Sequence, residues 1–172
     1  MEEFFRYFKT GIPDDVLNVS LCITIILILS GLVIPVIRNK RKYYCWVLLI
    51  EYLFVVVCST IVFRRVIKAP HVEFTPFWTY KAVYSHVAGV SYWDIILNMV
   101  LFIPLGLLLS LIFPRVEIWK VIVIAIACSM CIEVSQFIWM RGVCQFDDIM
   151  HNSIGAAFGC YVARLLGGYG LK

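Results

Sequence analysis

The sequence predicts an all-α integral membrane protein, a polytopic bundle of about five transmembrane helices. Two observations lead to this fold class. Hydrophobic residues make up 62% of the chain and charged residues 15%, and the mean hydropathy is +0.92, far from the balance of soluble globular domains. The apolar residues also fall into five runs, each close to the roughly 20 residues that a helix needs to cross a hydrocarbon core about 30 Å thick.

Charged residues and turn signals set the limits of the five predicted spans. The first span carries no charge from Leu17 to Ile37 and is too long for the apolar region of a signal peptide, so we expect it to be retained. The second contains Glu51. The predicted spans are Val16–Ile37, Tyr44–Phe63, Ile95–Phe113, Ile118–Met140 and Ile149–Leu166.

A long outer loop separates the second and third predicted spans and is rich in aromatic residues. Such side chains are typical of the membrane–water interface. They are Phe74, Phe77, Trp78, Tyr80, Tyr84, Tyr92 and Trp93. The later connections are short, so the last three spans are expected to be antiparallel neighbours. Because no Pro/Gly/Ser-rich linker divides the chain, we expect residues 1–172 to form a single domain.

Basic residues indicate how the protein lies in the membrane. The densest group, Arg38 with residues 40–42, lies between the first two predicted spans and is expected on the cytoplasmic side. With five spans, the N-terminus is then outside and the C-terminus is cytoplasmic. The net charge of +4 is modest and forms no basic stripe, which excludes a nucleic-acid partner and favours contact with membrane lipids.

Polar and ionisable residues concentrate at one end of the last three predicted spans. A charged side chain in hydrocarbon costs roughly 2.5–3.5 kcal/mol on insertion scales, so polar groups kept at membrane depth indicate a functional site. Two arginines at the end of the second span reach the same side. The candidate residues are Asn98, Glu133, Gln136, Arg141, Asp147, Asp148, His151 and Asn152, with Arg64 and Arg65 as further cations.

Helical spacing groups these residues further. Glu133 and Gln136 are three residues apart, and Asp148 is followed by His151 and Asn152 at helical intervals, so each set shares one face. The motif Gly155-x-x-x-Gly159 lies on the last helix and allows a neighbouring backbone to approach closely. We expect it to pack against the fourth span, although a homodimer would use the same motif.

Three fixed patterns resemble the VanZ family. They are N-M-V-L-F-I-P-L-G from Asn98, E-V-S-Q from Glu133, and R-G-V-C-Q-F-D-D-I-M-H-N-S-I-G from Arg141, within a motif-bearing region of residues 92–159. The preceding F-T-P-F of residues 74–77 resembles a further family element. The chain departs from the family pattern at Gln145, where members often carry another Asp.

The resemblance implies an integral membrane protein of bacterial cell envelopes, named for low-level resistance to teicoplanin. Teicoplanin is a lipoglycopeptide that acts on cell-wall precursors outside the cytoplasmic membrane. The resemblance does not supply a molecular activity, and many relatives resemble general membrane proteins. We therefore expect a role in lipoglycopeptide resistance or in envelope homeostasis.

Binding of an envelope component is the first hypothesis for the polar residues. Arg141, with Arg64 or Arg65, would hold a phosphate or carboxylate, while Asn98, Gln136 and Asn152 would orient it. A ligand with a polar head and a lipid tail suits this position beside an aromatic loop. The expected partners are membrane lipids and a cell-wall precursor or another anionic envelope lipid.

Three alternatives stay open. The charged residues would serve as a packing network. In an intramembrane enzyme that acts on an envelope lipid head group and depends on carboxylates or on a metal, Glu133, Asp148 and His151 would be the catalytic groups. No metal or cofactor is expected, because one histidine lies in the cluster and H-E-x-x-H, G-x-S-x-G and Walker motifs are missing from the sequence. A small transporter or flippase component is the last alternative, in which Pro104 and Gly106 would break the third span.

Overall fold

The computed structural model describes residues 40–64, 66–68, 71–87 and 89–167, and this part of the chain is mostly helical. The first predicted span and Arg65 lie outside the described residues. In chain order the elements are α1 (Lys40–Val57), continued by a π-helical turn (Cys58–Val62), β1 (His71–Glu73), α2 (Trp78–Tyr84), α3 (Tyr92–Ile112), α4 (Ile118–Ile138), β2 (Val143–Gln145) and α5 (Phe146–Gly167).

Three helical segments are long and apolar enough to cross a membrane, namely Lys42–Val62, Tyr92–Ile112 and Ile118–Ile138. They correspond to the second, third and fourth predicted spans, with ends that differ by a few residues. The fifth predicted span is also helical, as α5, but its first turns carry the acidic residues of the polar cluster. These features fit a membrane protein.

The core lies between α1, α3, α4 and α5. Its most enclosed side chains include Phe102 and Ile112 of α3, Val121 of α4 and Cys160 of α5. Large apolar side chains on the opposite face of α4 are exposed, among them Trp119 and Ile138. An apolar face turned away from the protein core is what a hydrocarbon environment permits.

Helix α3 has a defined start and runs unbroken through a proline. Ser91 forms a capping box with Asp94, whose carboxylate accepts a hydrogen bond of 2.7 Å from the Ser91 amide. Pro104 lacks an amide proton and weakens the preceding turn. The hydroxyl of Tyr52 donates to the carbonyl of Leu101 in that turn at 2.8 Å. The break at Pro104 and Gly106 that the transporter alternative invoked is therefore not present, since α3 continues to Ile112.

Three glycines bring α3 and α5 into backbone contact. A Cβ atom at Gly155 would lie 2.0 Å from the carbonyl oxygen of Met99, and one at Gly159 would lie 2.0 Å from that of Ile103. A Cβ atom at Gly106 would lie 1.8 Å from the carbonyl oxygen of Ala156. These positions admit glycine alone because nothing larger fits between the two backbones. We call this contact the glycine seam.

The glycine seam corrects an expectation from the sequence. The Gly155-x-x-x-Gly159 motif packs against α3, not against the fourth span, because α3 supplies the matching Gly106 on its own facing surface. This surface is used within the chain. A homodimer stays a prediction, without this motif to support it.

Two short strands correct the expectation of a purely helical fold. β1 and β2 pair in parallel, with His71 opposite Val143 and Glu73 opposite Gln145. The long outer loop also contains a helix, α2. The strand pair fastens the chain that leads into α2 to the chain that leads into α5, so the loop is folded over the starts of α3 and α5.

Candidate functional site

Polar side chains from four helices meet at one end of the bundle, which we call the polar end. It comprises the end of α1, the start of α3, the end of α4 and the start of α5. The convergence expected from the sequence is present. The structure places here Arg64, Asn98, Glu133, Gln136, Arg141, Asp147, Asp148, His151 and Asn152.

Two carboxyl groups, those of Glu133 and Asp148, occupy its centre. Glu133 is 2% exposed and its Oε2 accepts a hydrogen bond of 2.9 Å from the Gln145 amide. Oδ1 of Asp148 accepts one of 2.6 Å from Nδ2 of Asn98. The two carboxyls lie close enough to interact with each other and with the guanidinium of Arg64. Among the described residues, neither forms an ion pair within 4.0 Å.

Gln136 lies beside Glu133 and leaves one acceptor unused. Its Nε2 donates to the carbonyl of Thr60 at 3.0 Å, which fixes the orientation of the amide because a carbonyl can only accept. Its Oε1 is buried, and none of the residues that the structure describes forms a hydrogen bond with it. A Cβ atom at Gly142 would lie 3.1 Å from this oxygen and 3.1 Å from Cζ of Arg64. The glycine thus makes room for Arg64 next to Gln136.

Asn152 connects α5 to α4 below the two carboxyls. Its Nδ2 donates to Oγ of Ser129 at 2.8 Å, and both side chains are buried. Its Oδ1 has no hydrogen-bond partner in the described part of the chain. Asn152 lies one helical turn after Asp148 on α5, and Ser129 lies one turn before Glu133 on α4, so together they form the floor of the polar end.

Asp147 has a structural task. Its two carboxylate oxygens accept hydrogen bonds of 2.8 Å from the amides of Phe77 and Thr79, at the start of α2. Phe77 adopts a left-handed conformation with φ of 60°, which is unfavourable for a bulky residue. The carboxylate stabilises this turn and the N-terminus of α2. Both carboxylate oxygens of Asp147 are therefore already bound by backbone amides of the protein.

His151 pairs with α2 through a tyrosine. Its Nε2 lies 2.9 Å from the hydroxyl of Tyr80, and its Nδ1 is buried without a hydrogen-bond partner within the described ranges. The imidazole is fully buried, whereas Tyr80 is 40% exposed. This contact and the Asp147 cap together fix α2 over the start of α5.

Arg141 lies at the polar end but faces the backbone. Its Nη1 donates to the carbonyls of Val62 and Arg64, the latter at 2.9 Å. It closes the end of the π-helical turn, whose last carbonyls have no helical partner. The hypothesis that Arg141 holds a ligand stays a prediction. Among the described residues, Arg64 is the cation that interacts electrostatically with both carboxyls. Arg65 lies outside the described residues.

Several residues of the site gave no signal in the sequence analysis as site residues. Thr79 and Gln145 approach each other through Oγ1 and Oε1 at 3.4 Å, and Gln145 also binds Glu133. Ser129 supports Asn152, and Tyr80 supports His151. Ser129 lies four residues before Glu133, so helical spacing could have identified it. The others depend on contacts between distant segments.

No set of three or more metal-ligating side chains comes together within the part of the chain that the structure describes. The free thiols lie elsewhere or are buried singly, and burial raises the pKa of Cys144 in β2. The polar end therefore offers hydrogen-bond acceptors, two carboxyls and one guanidinium for contact with a ligand.

Apolar helices of membrane-spanning length, with buried polar groups at one end, define a polytopic membrane protein. The family model VanZ/LLP1 matches residues 44–167, which include every described helix apart from the first turn of α1. The chain belongs to the VanZ/LLP1 family. Comparisons with curated proteins and with solved structures gave no match.

Proposed function

We propose that this membrane protein binds the polar head group of an envelope lipid at its polar end. In this way it would contribute to resistance against teicoplanin-type lipoglycopeptides or to envelope homeostasis. The family membership supports the envelope context, since the family takes its name from such resistance. A lipid-linked cell-wall precursor is the ligand class that connects the two roles.

One observation carries the proposal. The guanidinium of Arg64 lies over Gly142 and interacts with the buried carboxyl of Glu133 and the partly buried carboxyl of Asp148, yet it forms no ion pair within 4.0 Å among the described residues. Arg64 is exposed, so part of its guanidinium can reach an incoming group. Arginine binds phosphate through two parallel hydrogen bonds, which suits the head group of a phospholipid or a lipid pyrophosphate.

The surroundings of Arg64 support a ligand that carries a lipid tail. Helix α2 and its flanks expose Phe74, Phe77, Tyr84 and Tyr92 next to the site. Aromatic side chains of this kind sit at the level of lipid head groups. A lipid whose head enters the polar end would keep its tail along the outer faces of the helices.

The topology belongs to the same proposal. Five spans, with α5 and the segment Val16–Ile37 added to the three apolar helices, place the N-terminus outside and the C-terminus in the cytoplasm. The basic residues between the first two spans support this orientation. The polar end then lies in the outer leaflet, where cell-wall precursors are exposed to lipoglycopeptides.

An enzyme is the second candidate. The proximity of Glu133 and Asp148 favours it, because two neighbouring carboxyls, one buried and one partly buried, can differ in protonation and act as acid and base. His151 is a weaker candidate for a catalytic base, since its Nε2 already contacts Tyr80. Incubation of the purified protein with lipid-linked precursors, followed by mass spectrometry, separates the two functions. Covalent change supports catalysis, whereas unchanged lipid that co-purifies supports binding.

The proposal is tested by replacing the two carboxyls. Glu133→Gln and Asp148→Asn keep the shape of each side chain and are expected to abolish resistance in a teicoplanin susceptibility assay, while insertion into the membrane stays normal. Glu117→Gln is the matched control, because Glu117 is an exposed acid at the opposite end of α4. If both variants are degraded while the control is not, the carboxyls serve packing and the proposal fails.

A further inference from the structure

The hydrogen bonds of the polar end leave acceptors in excess. The three side-chain amide nitrogens of Asn98, Gln136 and Asn152 each donate to an acceptor within the protein. Oε1 of Gln136, by contrast, is buried and has no hydrogen-bond partner among the described residues, and the whole residue is only 1% exposed. A buried polar atom without a partner is costly, and native proteins keep few of them. The site can therefore accept a hydrogen bond from a donor group of a ligand.

The charges of the polar end point in the same direction. Glu133 and Asp148 are two carboxyls at one place, and Arg64 is the cation that reaches them both. Asp147 adds a third carboxyl, but its oxygens already accept hydrogen bonds from backbone amides at the start of α2. Buried carboxylates are stable when they are paired with a cation or with donors. Among the described residues, the single guanidinium of Arg64 leaves this pairing incomplete.

Arg64 already marks where a cation fits. Its Cζ lies 3.1 Å from the position of a Cβ at Gly142, at the same distance as Oε1 of Gln136. The residue is exposed and follows the end of the π-helical turn, so its side chain is the part of the site most able to turn outward. A second cation in its place would lie beside Oε1 of Gln136 and would interact electrostatically with both carboxyls.

We infer that Glu133, Asp148 and Gln136 form a subsite for the primary ammonium group of a zwitterionic lipid head group. The phosphate of the same head group draws the Arg64 guanidinium outward. An ammonium group is compact and carries three N–H donors, which match two carboxyls and one amide oxygen. The exchange leaves the net charge of the site unchanged, because the ligand brings one positive and one negative charge. This inference rests on the proposed binding of a lipid head group and specifies its chemical class.

The experiment compares three short-chain phospholipids that differ in the head group. Phosphatidylethanolamine carries an ammonium group, phosphatidylglycerol carries none, and the trimethylated nitrogen of phosphatidylcholine has no N–H donor. Each is titrated against the purified full chain in detergent, and bound lipid is counted by native mass spectrometry. We expect phosphatidylethanolamine to bind about tenfold more tightly than either of the others, the effect of hydrogen bonds to a charged group.

Variants assign this preference to the subsite. Glu133→Gln is expected to reduce phosphatidylethanolamine binding to the level of phosphatidylglycerol, whereas Arg64→Gln should weaken both. Glu117→Gln should leave all three affinities unchanged, since Glu117 lies at the opposite end of α4. Asp148→Asn provides a second removal of a carboxyl if Glu133→Gln does not fold.

The outcomes separate the two proposals. Equal binding of phosphatidylethanolamine and phosphatidylglycerol, both weakened in Arg64→Gln, would overturn the ammonium subsite and leave the head-group site standing. Binding of phosphatidylcholine as tight as that of phosphatidylethanolamine would also overturn it, because no N–H donor would then be needed. If no lipid binds more tightly to the wild type than to Arg64→Gln, both proposals fail.

Discussion

The glycine seam and the polar end lie next to each other on the same pair of helices, but they differ in how completely their atoms are packed and hydrogen-bonded. In the seam, α3 and α5 touch through Gly106, Gly155 and Gly159, and no space is left for a single added carbon. At the polar end, the same two helices meet through Asn98 and Asp148, and buried oxygens nearby have no partner. The glycine seam is completely filled by packed atoms, whereas the polar end keeps polar atoms that can still form hydrogen bonds.

The difference between the two regions indicates which of them is able to bind a ligand. A packed apolar contact stabilises the bundle but offers nothing to a ligand, because every atom already has a neighbour. Buried acceptors without donors lower stability and persist where they serve another purpose.

Breaking the seam should cause the greatest damage. Gly159→Leu would force four side-chain carbons into the carbonyl of Ile103, which lies 2.0 Å from the Cβ position. We expect a loss of at least about 3 kcal/mol of stability, because overpacking a tight contact shifts the backbone. Thermal unfolding in detergent measures this loss. Phe158→Leu, at an exposed position of the same helix, should be close to neutral.

Removing the cap of α2 should have the next largest effect. Asp147→Asn leaves one acceptor oxygen where two backbone amides donate, and the new amide nitrogen faces a donor. We expect a loss of about 2 kcal/mol, together with faster proteolysis of the loop around α2. Glu73→Gln is a suitable control, since Glu73 also accepts a hydrogen bond from an amide, that of Thr75, but at an exposed position. Equal behaviour of the two variants would show that Asp147 does not hold α2.

Arg141 should prove less sensitive than Arg64. Arg141→Lys keeps a cation that can donate to the carbonyls of Val62 and Arg64, so we expect a loss of only about 1 kcal/mol and nearly unchanged lipid binding. Arg64→Lys removes the bidentate contact proposed for phosphate, and retention of lipid should fall. A larger loss of lipid in Arg141→Lys would return the anion contact to Arg141.

The smallest effect is expected at the far end of α4. Lys120 lies 3.3 Å from Glu117, and its hydrogen bond, with a further one from the Trp119 indole, lowers the pKa of that carboxyl below the ordinary value of 4.5. A lowered pKa means that the charged carboxylate stabilises the folded state at pH values above the ordinary pKa. This stabilisation disappears as the pH falls through the pKa of the folded state. Glu117→Gln should nevertheless leave the unfolding temperature at pH 7 unchanged, because exposed pairs contribute little. A marked drop would contradict the contrast between exposed and buried acids.

Much of the helical frame could be predicted from the sequence, because apolar length and terminal signals are local properties. The ends of the predicted spans, such as Ile118, agree with the structure within a few residues. The convergence of Asn98, Glu133 and Asp148 also followed, since short connections force helix ends to the same side. These inferences needed no knowledge of contacts between distant segments.

The rest depended on long-range pairing. The strand pair consists of three residues on each side, too short to give an alternating pattern. The partner of Gly155 and Gly159 could have been α3 or α4, and only the position of Gly106 on α3 decides it. Asp147 and Arg141 were expected to contact a ligand, but their hydrogen bonds go to backbone groups in segments 60 to 80 residues away in the sequence. The charge of a residue in the sequence does not show whether its side chain will contact a ligand or form hydrogen bonds with the backbone.

A paired measurement on Glu133→Gln tests most directly whether the polar end is built for a ligand. The unfolding temperature and the amount of co-purified lipid are determined on the same preparation. We predict that the unfolding temperature equals or exceeds that of the wild type, because a buried carboxyl without an ion pair is replaced by a neutral side chain that can still accept from the Gln145 amide. Retained lipid should fall about tenfold. A sharply lower unfolding temperature with lipid retention unchanged would contradict the account.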